Sequence, residues 1–87
     1  MKELAFKNSS FDALQEWLRS DTKTAERIVR ILQECRRTPF QGIGKPEPLK
    51  GNLKGMWSRR INEKDRIVYE VTETAVIVYS LQGHYEK

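Results

Sequence analysis

The chain holds one cysteine, Cys35, and one histidine, His84, far apart in sequence. A lone cysteine excludes an internal disulfide and fits a reducing compartment. One His and one Cys match no ligand spacing, so neither a metal nor another cofactor is expected. No apolar run approaches membrane-spanning length and no signal peptide is present, which points to a cytoplasmic protein without a membrane role. Nothing repeats internally, and no segment is of low complexity. Acidic residues are outnumbered, 12 against 16 Lys and Arg, for a net charge of +4. A polyanion such as nucleic acid is therefore a natural partner.

The 87 residues suit one domain, residues 1–87, near the lower size limit for a self-sufficient core. Stabilisation by a partner subunit or by homodimerisation is accordingly expected. Residues 2–7 place Leu4 and Phe6 on one face of a short strand. Asn8-Ser9-Ser10 then supplies N-cap chemistry, with Ser9 and Asp12 at capping-box spacing. Phe11, Leu14 and Leu18 follow at helical spacing beside Trp17, and Ser20-Asp21 ends this helix and caps the next. In that second helix Ala25, Ile28, Ile31, Leu32 and Cys35 form an apolar stripe, which makes Cys35 a core residue. Lys23, Arg27, Arg30, Glu34 and Arg37 fall on its outer face, most simply a solvated surface. Residues 41–55 hold four of the five glycines and two of the three prolines, too peculiar a composition for a plain connector. Three strands with short turns follow at 56–61, 66–72 and 75–81. The order predicts an α+β fold, a two-helix hairpin packed on one face of a small antiparallel sheet, with the other face open.

Within the glycine-rich segment, Gly44-Lys45-Pro46-Glu47-Pro48-Leu49-Lys50 sets one carboxylate between two prolines and two lysines. Proline restricts the residue before it, so Lys45 and Glu47 are expected in extended backbone. Alternation along the strands assigns the faces. Trp57 and Ile61 point inward, as do Ile67, Tyr69 and Val71, then Ala75, Ile77, Tyr79 and Leu81. Ser58, Arg60, Arg66, Val68, Glu70, Val76, Val78, Ser80, Gln82 and His84 take the open face, while Arg59 turns inward or toward an edge. Without a bulge, Arg60, Arg66 and His84 share the surface into which the Glu47 loop leads. Taken singly, each has an ordinary reading: Glu47 as a surface ion pair with Lys45 or Lys50, His84 as a solvated terminal residue, Tyr85 as a packing residue.

The blocks Arg37-Thr38-Pro39-Phe40, Gly42-Ile43-Gly44-Lys45-Pro46-Glu47-Pro48-Leu49-Lys50, Trp57-Ser58-Arg59-Arg60, Arg66-Ile67-Val68-Tyr69 and His84-Tyr85 occur in order across nearly the whole chain. Together they resemble the YoeB/Txe family of toxins, within the RelE superfamily of bacterial type II toxin–antitoxin systems. The chain departs from that pattern in the Glu86-Lys87 extension, in Met56 for a commoner aromatic, in Phe11 and Leu14 of the first helix, and in Gly83 before His84. The resemblance implies a RelE-like fold and an mRNA endoribonuclease that works in the A site of the 70S ribosome. It also implies a small antitoxin of the YefM/Axe kind as partner. By position, Glu47 matches the general base, His84 the general acid and Arg66 the arginine that stabilises the transition state. Lys50, Arg60 and Tyr85 match residues that bind or orient the substrate. The implied step is attack of a ribose 2′-hydroxyl on the adjacent phosphorus with expulsion of the 5′-oxygen, using no metal. A non-catalytic basic toxin of the same fold, an A-site blocker or gyrase inhibitor, is the competing reading; it would need neither Glu47 nor His84.

Overall fold

The chain folds as β1 (Glu3–Phe6), α1 (Ser10–Ser20), α2 (Thr22–Cys35), β2 (Glu47–Pro48), β3 (Met56–Arg60), β4 (Arg66–Val71) and β5 (Ala75–Ser80), with a 3-10 turn at Gly51–Leu53. The structure, a computed structural model, describes residues 1–83. His84, Tyr85 and the Glu86-Lys87 extension lie outside the described residues.

All five strands form one sheet in the order β1-β5-β4-β3-β2, with both helices against one face. β2 to β5 pair antiparallel, as expected of a meander. β1 joins β5 in parallel instead, with Leu4 opposite Val76 and Phe6 opposite Val78, so the sheet is mixed. The two helices between β1 and the meander free its direction from the antiparallel rule that a hairpin imposes.

The helix boundaries follow local chemistry. Asp21 accepts a hydrogen bond from the Thr24 N–H at 3.1 Å and caps α2 as the sequence predicts. Ser9 occupies the N-cap of α1, but its side chain makes no capping bond there. Its neighbour Ser10 is buried and donates its hydroxyl to the Val78 carbonyl at 3.1 Å, while Trp17 Nε1 donates to the Leu81 carbonyl at 2.9 Å. Two polar clamps thus tie α1 to β5 and to the residue after it, and Ala13, Leu14 and Trp17 pack on the core while Phe11 and Leu18 stay half exposed.

The core forms between α2 and the sheet. Ala25, Ile28, Ile31, Leu32 and Cys35 are all buried, against Ile61, Ile67, Tyr69, Val76, Val78 and Leu81. Burial pushes the Cys35 thiol up from its ordinary value, which keeps it a protonated packing group. The outer face of α2 is less solvated than its charge suggests: Arg27 Nε reaches the Ile61 carbonyl at 2.7 Å, and Glu34 turns toward β3.

β5 corrects the assignment of faces. Val76 and Val78 are fully buried on the helix side, and Ile77 and Tyr79 lie toward the open face, where Tyr79 Oη donates to Glu70 Oε1 at 3.0 Å. The register slips between Val68 and Tyr69: Tyr69 pairs Val78, while Val68 pairs Ser80, which leaves Tyr79 as the extra residue of a bulge. Beyond the bulge Leu81 is buried and Ser80 faces outward, so strict alternation fits the end of the strand and inverts its beginning.

Two neighbours on α2 test this division of faces. Ile28→Ala empties a fully buried site and should cost about 2–5 kcal/mol of unfolding free energy. Val29→Ala, at a half-exposed site, should stay within about 0.5 kcal/mol. Urea denaturation of both variants measures the contrast.

Candidate active site

The site grows from the alternation of β3. Ser58, Arg59 and Arg60 send their side chains to opposite faces in turn. Each meets a different partner. Ser58 pairs across the sheet with Glu47, and Arg60 pairs with Arg66, both on the open face. Arg59 goes the other way and is fully buried.

All five N–H donors of the Arg59 guanidinium are used. Nε donates to Tyr69 Oη at 3.2 Å, Nη1 to Glu34 Oε1 and to the Ile43 carbonyl at 3.1 Å, and Nη2 to the Thr38 and Gln41 carbonyls at 2.7 and 2.8 Å. Tyr69 Oη donates onward to the Pro39 carbonyl at 2.7 Å, and Glu34 Oε1 also accepts from the Ile43 N–H at 2.9 Å. Burial by itself would raise the Glu34 carboxyl. The hydrogen bonds from Arg59 and Ile43 and the charges of Arg59 and Arg37 outweigh it and hold the group below the usual carboxylate range. Burial likewise works against the Arg59 charge, and its bonds to Tyr69 and Glu34 prevail, so it remains a cation. The strand after this loop carries Glu47.

Two glycines let the loop approach. At Gly42 (φ +131) a Cβ would overlap the Glu34 carboxylate, and at Gly44 (φ +83) it would press on the Arg60 backbone. The Gly44 carbonyl accepts from the Arg60 N–H at 2.6 Å, and Phe40 packs on Trp57 with ring centroids 4.7 Å apart. Lys45, expected extended before Pro46, instead takes φ +53 and turns the chain into β2. Glu47 is extended, as expected, and exposed.

Glu47, Arg60 and Arg66 therefore share the open face. Glu47 lies diagonal to Arg60, a separation of about 7–8 Å between backbone positions in antiparallel pairs. Arg60 and Arg66 are direct cross-strand partners, an arrangement in which like charges repel. Neither has a carboxylate within ion-pair distance among the described residues. Arg66 Nη1 is buried and lacks a hydrogen-bond partner among them, an unusual cost in a folded protein. Lys50 is exposed and opens the 3-10 turn after β2. Ser58 and Val68 on this face are 5% and 2% exposed, which gives the charged rim a tightly packed floor.

The structure does not describe the general acid expected from sequence, His84, or Tyr85. The chain leading to them is held at Gly83: its carbonyl accepts from the Arg66 N–H at 3.0 Å, and its own N–H donates to Asp65 Oδ1 at 2.9 Å. Sequence reading missed the Glu34–Arg59–Tyr69 network, although it turned Arg59 inward. The available signal was an arginine at an inward position with a glutamate in the last turn of the preceding helix.

Two helices on one face of this mixed sheet make the fold of the RelE-like toxins; a RelBE2 toxin–antitoxin complex from Mycobacterium tuberculosis, 17% identical, shares that fold at a TM-score of 0.74. Within that class, residues 6–85 match the family of YoeB-like toxins of bacterial type II toxin-antitoxin systems, and the chain belongs to this family. It is 42% identical to Toxin YoeB of Escherichia coli K12, over 95% of this chain and 99% of the relative. A YoeB/ParE toxin from Agrobacterium tumefaciens, 41% identical over 95% of this chain and 99% of that one, superposes with a TM-score of 0.90. YoeB of Staphylococcus aureus, 35% identical, has been solved as a dimer (TM-score 0.87, 97% and 98% covered) and in a heterotetrameric complex with YefM (0.86, 98% and 99% covered).

Two measurements follow from the electrostatics. Because folding depresses the Glu34 pKa, its ion pair stabilises the fold at neutral pH and releases that contribution as pH falls. The melting temperature should drop as the pH passes below about 4.3, the ordinary glutamate value. Glu34→Gln should remove that part of the drop. The Arg60–Arg66 pair, without a carboxylate partner among the described residues, should take up an anion: inorganic phosphate should raise the melting temperature above that in NaCl of equal ionic strength. Arg66→Met should abolish the difference.

Proposed function

We propose that the protein is a ribosome-dependent mRNA endoribonuclease, the toxin of a type II toxin–antitoxin system, which blocks translation by cutting mRNA in the ribosomal A site. The observation that carries this reading is the repulsive Arg60–Arg66 pair, with the buried Arg66 Nη1 lacking a partner among the described residues, on the same face as Glu47. Such a pair is poised for a phosphate, and Arg suits that role because its planar fork spans two phosphoryl oxygens and stays charged.

In the proposed reaction Glu47 takes the proton of a ribose 2′-hydroxyl as its oxygen attacks the adjacent phosphorus. The bond to the 5′-oxygen breaks, and His84 supplies the proton that this leaving oxygen needs. The products are a 2′,3′-cyclic phosphate and a free 5′-hydroxyl. Arg66 and Arg60 stabilise charge on the phosphoryl oxygens, and Lys50 and Tyr85 hold the backbone and orient the scissile nucleotide. DNA, without a 2′-hydroxyl, is not a substrate.

Glu47, Lys50 and Arg60 are exposed on a sheet surface. Positioning of the 2′-hydroxyl is assigned to the ribosome, which supplies the effective concentration that an open site lacks. The antitoxin partner and a homodimer are proposed by analogy with the S. aureus proteins.

The purified protein should cut mRNA in programmed 70S ribosomes at a single point in the A-site codon, visible by toe-printing, and cut the same RNA free in solution at least about 100-fold more slowly, in the range that positioning alone can supply. Glu47→Ala and His84→Ala should each slow cutting by about 100- to 10,000-fold, the contribution of a general base or acid. Equal rates on free and ribosome-bound RNA would remove the ribosome from the mechanism. A translation block that survives both substitutions with mRNA intact would favour the non-catalytic toxin.

A further inference from the structure

We infer that Arg59 is a positioning residue for the reaction: from inside the fold it sets the place of the β2 strand, and so of Glu47, relative to Arg60. The inference rests on the reading of Glu47 as general base. Its physical basis is independent of that reading.

Residues 36–46 link α2 to β2 with no regular secondary structure of their own. A loop of that kind must find partners for its backbone carbonyls. Four of them, at Thr38, Pro39, Gln41 and Ile43, converge on the Arg59 guanidinium and the Tyr69 hydroxyl. Glu34 completes the set, accepting from both Arg59 and the Ile43 N–H. The last link is covalent. Arg59 adjoins Arg60, whose N–H holds the Gly44 carbonyl at 2.6 Å, and only Lys45 and Pro46 separate Gly44 from Glu47.

β2 is two residues long and cannot hold itself in register. Its entry is fixed by the Arg59 network, and its exit by the Leu49 N–H on the Met56 carbonyl at 2.9 Å. Arg59 lies between Ser58, the partner of Glu47, and Arg60, the partner of Arg66. One residue thus ties the acid's strand to the strand that presents a phosphate-binding cation. A lysine could not replace it, because an ammonium has three donors whereas the planar fork of Arg59 serves five acceptors.

Tyr69→Phe is the mild probe, since it removes one hydroxyl from the network and keeps the ring. Its kcat on ribosome-bound mRNA should fall by about 10- to 100-fold, the scale of a misplaced catalytic group. KM, cooperative melting and the phosphate-induced rise in melting temperature should stay as in the parent. In a Glu47→Ala background the same change should cost little further, because the group it positions is gone. An equal proportional loss in both backgrounds would overturn the inference. Hydrogen exchange supplies an arm that needs no activity: the Leu49 and Arg60 amides should lose protection in Tyr69→Phe while the β4–β5 amides keep theirs. Unchanged protection at Leu49 and Arg60 would likewise overturn it. A parent protein that cuts no mRNA would refute the proposed function, and the exchange measurement would still decide whether Arg59 sets the place of β2.

Discussion

A fully buried guanidinium with every donor satisfied holds this small fold to its glycine-rich loop. Arg59 lies beneath the sheet, where an unpaired charge would be prohibitive, and Glu34 together with loop carbonyls makes it tolerable. The dependence runs both ways. The loop has no ladder of its own and borrows its hydrogen bonds from Arg59; the charge of Arg59 has no place in the interior without the loop. Tyr69 links the two, accepting from Arg59 and donating to Pro39. Gly42 and Gly44 are required by the same arrangement, since a side chain at either would collide with Glu34 or with the Arg60 backbone.

The opposite face of β3 carries the contrary choice. There, among the described residues, Arg60 faces Arg66 with no carboxylate between them and the buried Arg66 Nη1 has no partner. Local conflict of this kind is expected where a ligand supplies the missing interaction. The two faces are coupled by geometry: successive side chains of one strand are its interior anchor and its exposed cation. Stability gathered on the helix side, from the α2 stripe and the Arg59 network, lets the open side keep a repulsive pair in place. The bulge at Tyr79 serves the same division, since it buries both Val78 and Leu81 and still turns Ser80 outward beside Val68.

Much of this was legible without coordinates where the signal is local. The apolar stripe of α2 is entirely buried, Asp21 caps its helix, and the three meander strands begin where the turns predict. Arg60 and Arg66 share the open face as alternation requires. The failures have physical causes. Ser9 and Asp12 have the spacing of a capping box without its bonds, because the Ser9 backbone (φ −98, ψ 19) lies outside the extended region from which an N-cap side chain reaches the helix amides. A bulge is one residue of slack that no periodicity announces, so the start of β5 was assigned to the wrong face. Glu34 reads as solvated on a helical wheel, since the wheel does not show a guanidinium arriving from a strand 25 residues later.

By itself, then, the sequence determined the elements other than the two-residue β2, their order and the residues that match a known family: hydrophobic period, caps and turn chemistry act over a few residues, and a run of motifs needs no geometry. Tertiary structure alone decided that β1 runs parallel to β5, that Tyr79 is the residue left over in the ladder, and that Arg59 joins Glu34, Tyr69 and three carbonyls of one loop. Each of these depends on segments distant in the chain meeting at fixed distances. A buried charge is settled only when all its partners are counted together.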